Sequence, residues 1–531
     1  MLKVRFIQCF YVTVVLTVFG LVFGTRSIIA AEKTTPVSEE DVQVLASGPI
    51  HEAFAEAVAL DPEPGIVAPK PSPALIDEIP PEQKPEGDVQ WIPGYWAWDD
   101  ERNEYIWVSG IWRVPPPGRQ WIPGYWTPAE QGYQWISGYW ASVKAKEIEY
   151  LPEPPESVEV GPSSNAPSSD YTWIPGCWVW QYGRYAWQPG YWAVVQPDWI
   201  WVPAHYNWTP RGYIFVGGYW DYTVIHRGIL FAPVFFPPRG YLGLTFSFSP
   251  GSVIDLNIFD DALFLRPRYH HYYYGNYYAP RYYRSGIYPW FSLHARRVVY
   301  DPIYAHQRWS HRNDHKWENR LQTRFRERRE HEGLQQPRSF DQRTGFDKSG
   351  GYSGPERRDV VMPLIRADKT KAGAYRFKPL SEKEQREFSQ REREVRTYQK
   401  ERQRRETMRK YKLDEKASKT PRPNKEIFSR SPIMDRSNEN ADRKKAPPAQ
   451  YNAPEPNLDV EPLQRKDDLS HSWNESQKLE DRRRMPEVRR QQAMDKIQES
   501  KNKGGRSVDR MQKFNDRQQR GDAGRRRLNE K

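Results

Sequence analysis

Between residues 88 and 222 aromatic and apolar positions recur in a six-residue frame, Trp-x-Pro-Gly-Tyr-Trp, which begins at Trp91, Trp107, Trp121, Trp135, Trp173, Trp187, Trp201 and Phe215. The intervals are 16, 14, 14, 38, 14, 14 and 14 residues, so the eight frames fall into two blocks of four. The first and last positions are Trp in seven frames each, with Phe215 and Tyr206 as the aromatic exceptions. Gly fills the fourth position at Gly94, Gly110, Gly124, Gly138, Gly176, Gly190 and Gly218, and Ala204 replaces it in the seventh frame. Short aromatic runs punctuated by Pro and Gly at a fixed period predict a mainly β fold, an antiparallel meander of Trp-rich repeats.

Two geometries satisfy the frame. Pro-Gly suits the centre of a type II turn, because Pro presets φ and Gly tolerates a positive one. A hairpin on that turn pairs Trp91 with Trp96, Trp121 with Trp126 and Trp187 with Trp192, and further out Tyr171 with Trp180 and Trp199 with Trp208. Alternatively Pro-Gly is a bulge within one longer strand, which also returns both indoles to one face. Either way short returns such as Gln181-Tyr182-Gly183-Arg184 connect the strands.

The flanks follow other rules. Residues 32–87 are expected to hold a short helix, with a capping box at Ser38 and Asp41, Pro49 near its start and a stripe of Ile50, Phe54 and Val58, followed by a Pro/acidic linker. A second Pro/Ser/Glu linker spans 143–170 between the repeat blocks 88–142 and 171–222. Residues 223–306 read as a Tyr/Phe-rich β region, with alternation over Leu244–Ser249 and a tyrosine-rich run from Tyr269 to Tyr283 as a candidate partner-facing patch. Trp317, Leu321 and Phe325 at i, i+4, i+8 predict a docking helix within 307–335. After a linker over 336–380, a charged helix over 381–417 starts at a Ser381/Glu384 capping box. Pairs such as Glu382 with Arg386, Glu392 with Arg396 and Glu401 with Arg405 suit a solvated single helix. Residues 418–531 read as a disordered basic tail.

The tandem Trp-x-x-Gly-x-Trp frames, led by aromatic-x-Trp at Tyr105, Tyr133, Tyr171, Tyr185 and Tyr213, resemble the WXXGXW (YXWXPGYW-type) repeat family of exported bacterial proteins. The resemblance covers about a quarter of the chain. It implies an envelope or surface protein, from a planctomycete-like bacterium, and supplies no catalytic residues.

Charge divides the 531 residues sharply. Up to Ser310 there are 22 Lys+Arg against 30 Asp+Glu, and from His311 onward 58 against 38, so a net −8 precedes a net +20. Of 75 aromatic residues, 61 precede His311, which places the core-forming material there. These balances argue against an ordinary large soluble enzyme.

The amino terminus reads as an address. Lys3 and Arg5 precede an apolar run from Phe6 to Gly24, and Ala30-Ala31 mark a signal-peptide cleavage site over residues 1–31. Because Ile29 is bulky, an uncleaved anchor is the alternative; either way export to the periplasm, envelope or cell surface is expected. Cys9 lies in that segment and Cys177 is the only other cysteine, so no internal disulfide is expected.

No nucleophile elbow, phosphate loop or zinc-protease helix is present. His270-His271 and His311/His315 lack the partners of a metal site, and no cofactor is expected. Asp255, Asp260 and Asp261, or Asp99, Asp100 and Glu101, are the acids from which a glycosidase pair would be drawn. Small β-repeats without disulfides need bulky rings for a core, so most indoles are expected inside, while Trp98, Trp180 and Trp208, outside the frame, are the candidates for exposed contacts. The reading is a secreted non-enzymatic structural or adhesive envelope protein. Its expected partner is an anionic or glycan envelope polymer, or another envelope protein, and no cytosolic nucleic acid. A carbohydrate-binding module using exposed Trp is the alternative.

Overall fold

Consecutive frames fold onto each other, and the eight frames make four antiparallel hairpins. The computed structural model describes residues 42–237, 247–257, 259–292, 299–335, 339–340, 360–370, 376–407, 423–436 and 447–461, all within the unit Met1–Leu463. The expected signal peptide, the Ser38/Asp41 capping box and most of the expected tail lie outside the described residues.

In hairpin one, Gln90–Ile92 pairs with Ile111–Arg113 and Tyr95–Asp99 with Glu104–Val108. Trp91 therefore faces Trp112, and Trp96 faces Trp107. The rule repeats: Trp121 faces Trp140 and Trp126 faces Trp135; Trp173 faces Trp192 and Trp178 faces Trp187; Trp201 faces Trp220 and Tyr206 faces Phe215. Ring centroids within these eight pairs lie 5.0–5.4 Å apart. Such pairs contribute about 0.5–1.5 kcal/mol each beyond the area they bury.

The type II hairpin is thereby corrected. None of the seven repeat glycines has a positive φ, and Trp91 does not pair with Trp96, nor Trp121 with Trp126, nor Trp187 with Trp192. Pro-Gly instead interrupts a longer strand, with the ladder stopping at Ile92↔Ile111 and resuming at Tyr95↔Val108. The chain reverses at the far end of each frame pair. In hairpin three, Tyr182 (φ 50°) and Gly183 (φ 80°) form the two-residue return, whose twist matches the strands better than a type II turn does.

Strands from elsewhere cover the hairpin edges, which would otherwise present unpaired backbone. Gly228–Leu230 pairs with Ile111–Arg113, Val67–Ala68 with Tyr133 and Gln134, and Glu147–Leu151 with Tyr213 and Ile214. A second antiparallel sheet joins Gly48–Pro49, His271–Tyr274, Leu263–Arg266 and Tyr288–Pro289 in that order. The tyrosine-rich run is core rather than a partner-facing patch. Tyr272, Tyr274 and Tyr278 are fully buried, and their hydroxyls donate to Asp301 Oδ1, Leu45 O and Asp261 O. The stripe read as a helix at Ile50, Phe54 and Val58 is buried but not helical, because its flanks pair as the strands Gly48–Pro49 and Val58–Ala59.

The described residues of the carboxy-terminal half form more regular structure than the composition implies. The helix expected over 307–335 is two helices, Pro302–Ser310, which begins earlier, and Trp317–Glu330; Asp301 caps the first by accepting from the Tyr304 amide, and Trp317 and Leu321 are the buried residues of the second. The linker over 336–380 includes a strand, Val361–Pro363, and a helix, Leu364–Thr370. The helix Glu382–Thr407 opens on the expected capping box, with Ser381 N donating to Glu384 Oε2 and Glu384 N to Ser381 Oγ.

That helix is not a solvated one. Phe388, Glu392, Val395, Tyr398, Arg402 and Glu406 form a buried stripe against the repeats. Three of its members are charged, which disguises the stripe; the i,i+4 pairs Glu392–Arg396 and Arg402–Glu406, with the hydrogen bonds that Arg402 and Glu406 make to the repeats, make their burial tolerable. Two pieces of the expected disordered tail also pack on the hairpins. Asn424–Ile427 extends the Glu147–Leu151 strand, Ile433 is fully buried, and Tyr451 sits on the rings of Trp201 and Trp220.

Candidate functional site

The break in each ladder decides what the frame needs. At the waist of a hairpin two residues of each strand have no cross-strand partner; in five frames Pro removes one N–H, and the fourth-position Gly keeps its own. Three glutamates from outside the repeats satisfy these donors in the same way. Glu78 accepts from Gly110 N (2.9 Å), Trp107 Nε1 (3.0 Å) and also Gly94 N (2.7 Å). Glu52 accepts from Trp135 Nε1 (2.6 Å) and Gly138 N (2.9 Å), and Glu159 from Trp173 Nε1 (3.1 Å) and Gly176 N (2.5 Å). In each case the first-position indole and the fourth-position backbone of one frame converge on one carboxylate. This gives the Trp-x-x-Gly spacing a physical meaning beyond packing.

The waist carbonyls are met from another direction. Arg402 Nη1 donates to Pro123 O (2.8 Å) and Ser137 O (3.1 Å) in hairpin two, and Arg119 Nη2 donates to Gly217 O and Gly218 O in hairpin four. In hairpin one His51 Nε2 lies 3.1 Å from Pro93 O, while its Nδ1 accepts from Ala53 N. A neutral ring with its proton on Nε2 satisfies both contacts. Burial keeps it neutral, lowering its pKa to about 4 against the pull of the Pro93 carbonyl and Glu52.

Burial acts on the clasping acids too. It pushes Glu78 up to about 7, although Trp107, Gly110 and Gly94 pull the other way. For Glu52 the same burial is outweighed by the hydrogen bond and charge of His271, helped by Gly138 and Trp135, which hold it below the usual carboxylate range. His271 Nε2 stands 2.6 Å from Glu52 Oε1.

The fourth-position glycine is a matter of space. A Cβ at Gly110, Gly124, Gly138, Gly176, Gly190 or Gly218 would lie 2.4–2.5 Å from Cζ2 of the first-position Trp across the hairpin, and at Gly94 it would meet Val108 O at 2.3 Å and Trp107 Nε1 at 2.8 Å. Ala204 breaks the pattern where the opposing first-position ring is Phe215 rather than Trp. The two departures fall in paired frames, which is what the space argument expects, since a smaller ring leaves more room for a methyl.

The three residues expected to be exposed are placed otherwise. Trp98 is buried, edge-on to Tyr105 with centroids 5.1 Å apart. Trp180 and Trp208 are half-buried in a cluster with Leu151, Tyr206 and Tyr213. All three continue the cross-strand ladder, as Trp98↔Tyr105, Trp180↔Tyr185 and Trp208↔Tyr213, which replaces the expected partners Tyr171 and Trp199. Cys177 packs in the same cluster, and burial pushes its thiol up to about 12.

Frame indoles instead supply the open rings. Of the eight ring pairs, only Trp173–Trp192 has both members half-buried while neither pairs with a fully buried ring. Nothing in the frame pattern signals this, because it depends on which segments cover which hairpin. Most of the candidate acids are engaged in ion pairs: Asp99 with Arg102, Asp100 with Arg266, Glu101 with Arg281, and Asp261 with Arg324 and Arg328, while burial pushes Asp260 up to about 7. Among the described residues no group of three or more His, Cys, Asp or Glu is placed to hold a metal ion, and no helix is long and apolar enough to cross a membrane.

Comparison with known proteins agrees with the geometry hairpin by hairpin. The WXXGXW repeat matches residues 90–113, 121–141, 169–193 and 197–221, one segment for each hairpin. No curated protein and no solved structure matches the chain. The paired frames of residues 90–221 thus carry the WXXGXW tandem repeat, in four matched segments.

Proposed function

We propose that the protein is an exported, non-enzymatic structural or adhesive component of the cell envelope. The repeats serve as a rigid body, and the basic carboxy-terminal region holds an anionic envelope polymer. The observation that carries this reading is how the repeat is used: its indoles and glycines go into internal ring pairs and carboxylate clasps, so the frame builds a scaffold. The carboxy-terminal chain is laced onto that scaffold, with Trp220 Nε1 donating to Ala449 O and Gln188 Nε2 to Pro454 O. Residues 462–531 then carry 20 Lys+Arg against 12 Asp+Glu. A charge excess of that kind supports attachment to a polyanion whose strength falls with added salt.

The test is fractionation of the full chain expressed with its own amino terminus, followed by sedimentation of the purified protein with isolated cell envelopes across a salt series. Recovery in the envelope fraction, with binding that weakens with salt and drops on removal of residues 462–531, is expected. Cytosolic recovery, or envelope binding indifferent to both salt and that deletion, overturns the reading.

A further inference from the structure

The same ring pair occurs at the open end of all four hairpins, and what lies over it differs. Trp91–Trp112 is capped by Phe231 and Phe388. Trp121–Trp140 meets His51 and the Arg113 guanidinium, and Trp201–Trp220 is capped by Tyr451. Trp173–Trp192 instead lines a cleft of about 770 Å³, bounded across from it by the helices Pro302–Ser310 and Trp317–Glu330. That volume lies in the range of small-molecule and short-polymer sites, roughly 300–1,000 Å³.

The cleft walls combine rings with paired charges. Trp309 and Trp317 contribute from the helical side; the Arg312 guanidinium lies 4.3 Å from the Trp309 ring centre, and His311 stacks on Trp317 at 4.8 Å. Arg312 pairs with Asp170 and Arg308 with Glu318. Trp173 is held in place by the Glu159 clasp, and Trp192 Nε1 donates to Ser164 O at 3.3 Å. Aromatic surfaces take up the apolar faces of sugar rings, and paired acid and base side chains supply donors and acceptors for hydroxyls. Because the arginines already have carboxylate partners, the cleft offers no unbalanced positive charge to a polyanion.

We propose that this cleft binds a neutral oligosaccharide, an uncharged stretch of an envelope glycan chain. The proposal rests on the reading of the protein as an envelope-binding molecule and names a second contact, distinct from the charge-driven one.

The test titrates the full chain with two soluble neutral hexamers, a β-1,4-linked glucose oligomer and an N-acetylglucosamine oligomer, by calorimetry at low and high salt. Saturable binding of at least one at millimolar concentration or below, little changed by salt, is expected. Trp309→Ala and Trp192→Phe should each weaken it about tenfold, as loss of a ring contact does at a binding hot spot. Trp126→Phe, a half-buried ring of hairpin two, should leave it unchanged. Trp309 stands on a helix outside the repeats, so a Trp192 variant that misfolds leaves the inference testable. Binding of neither hexamer overturns the inference, as does binding that Trp309→Ala and Trp192→Phe leave intact. Steeply salt-dependent binding of polygalacturonate in their place, or of a proline-rich peptide that Trp309→Ala abolishes, also overturns it. Salt-sensitive envelope sedimentation persisting in Trp309→Ala would show that the broader reading survives such a failure.

Discussion

Hairpin four contains a natural version of the exchange that tests why the frame needs glycine. Its Ala204 belongs to the frame paired with the one that begins at Phe215, whereas a Cβ at Gly218 would stand 2.5 Å from Trp201 Cζ2, 3.1 Å from Cε2 and 3.3 Å from Cη2. All three close neighbours belong to one side chain. Gly218 does not have a positive φ, so Gly218→Ala perturbs packing without backbone strain. Overpacking of this kind costs about 1–3 kcal/mol, and a contact this short places the expectation at about 2–3 kcal/mol. Trp201→Phe removes the obstructing ring edge together with an indole N–H that has no partner among the described residues; a cost of about 1–2 kcal/mol is expected from the lost ring area. If the clash sets the glycine, the double variant Gly218→Ala/Trp201→Phe should cost no more than Trp201→Phe alone plus a few tenths, a favourable coupling of about 2 kcal/mol. Urea unfolding of the full chain, followed by far-ultraviolet circular dichroism because the tryptophan count changes, measures all four corners of the cycle. Additive single effects would refute the argument, as would a neutral Gly218→Ala.

Three further outcomes follow from the waist and the helix. His51, neutral in the fold with its pKa lowered to about 4, takes up a proton on unfolding at any pH between there and 6.5, so its contribution is full above 6.5 and lost as the pH falls toward 4. The stability gap between wild type and His51→Gln should therefore shrink by about 3 kcal/mol from pH 7 to pH 4, read by thermal or urea unfolding. Glu159→Gln should cost about 1–2 kcal/mol and speed hydrogen exchange at the Gly176 amide; unchanged exchange there would contradict the clasp. Glu406→Gln leaves Arg402, whose side chain is fully buried, without its carboxylate, and should cost about 3–5 kcal/mol in urea unfolding.

The sequence by itself determined the unit of construction. The period, the antiparallel β class, the Ser381 capping box and the docking of the Trp317/Leu321/Phe325 stripe were all legible, because each depends on residues within a few positions of one another. Even the paired departure of Ala204 and Phe215 stands in the sequence, although only the pairing of adjacent frames explains it. The tertiary structure decided everything that depends on distance. It set the strand break against the hairpin turn, since both place the indoles on one face and differ only in the partner strand. It turned acids that read as linker or short-helix residues, Glu52, Glu78 and Glu159, into clasps, because a carboxylate's role is fixed by the donors that approach it from far along the chain. It buried Glu392, Arg402 and Glu406 in a helix whose pattern looked solvated, and laid residues 423–436 and 447–461 across the repeats. Trp173 and Trp192 were left open, while Trp98, Trp180 and Trp208 were drawn into ring pairs. Exposure is a property of what covers a residue, and the rings that cap the matching pairs of hairpins one and four, Phe388 and Tyr451, come from hundreds of positions away.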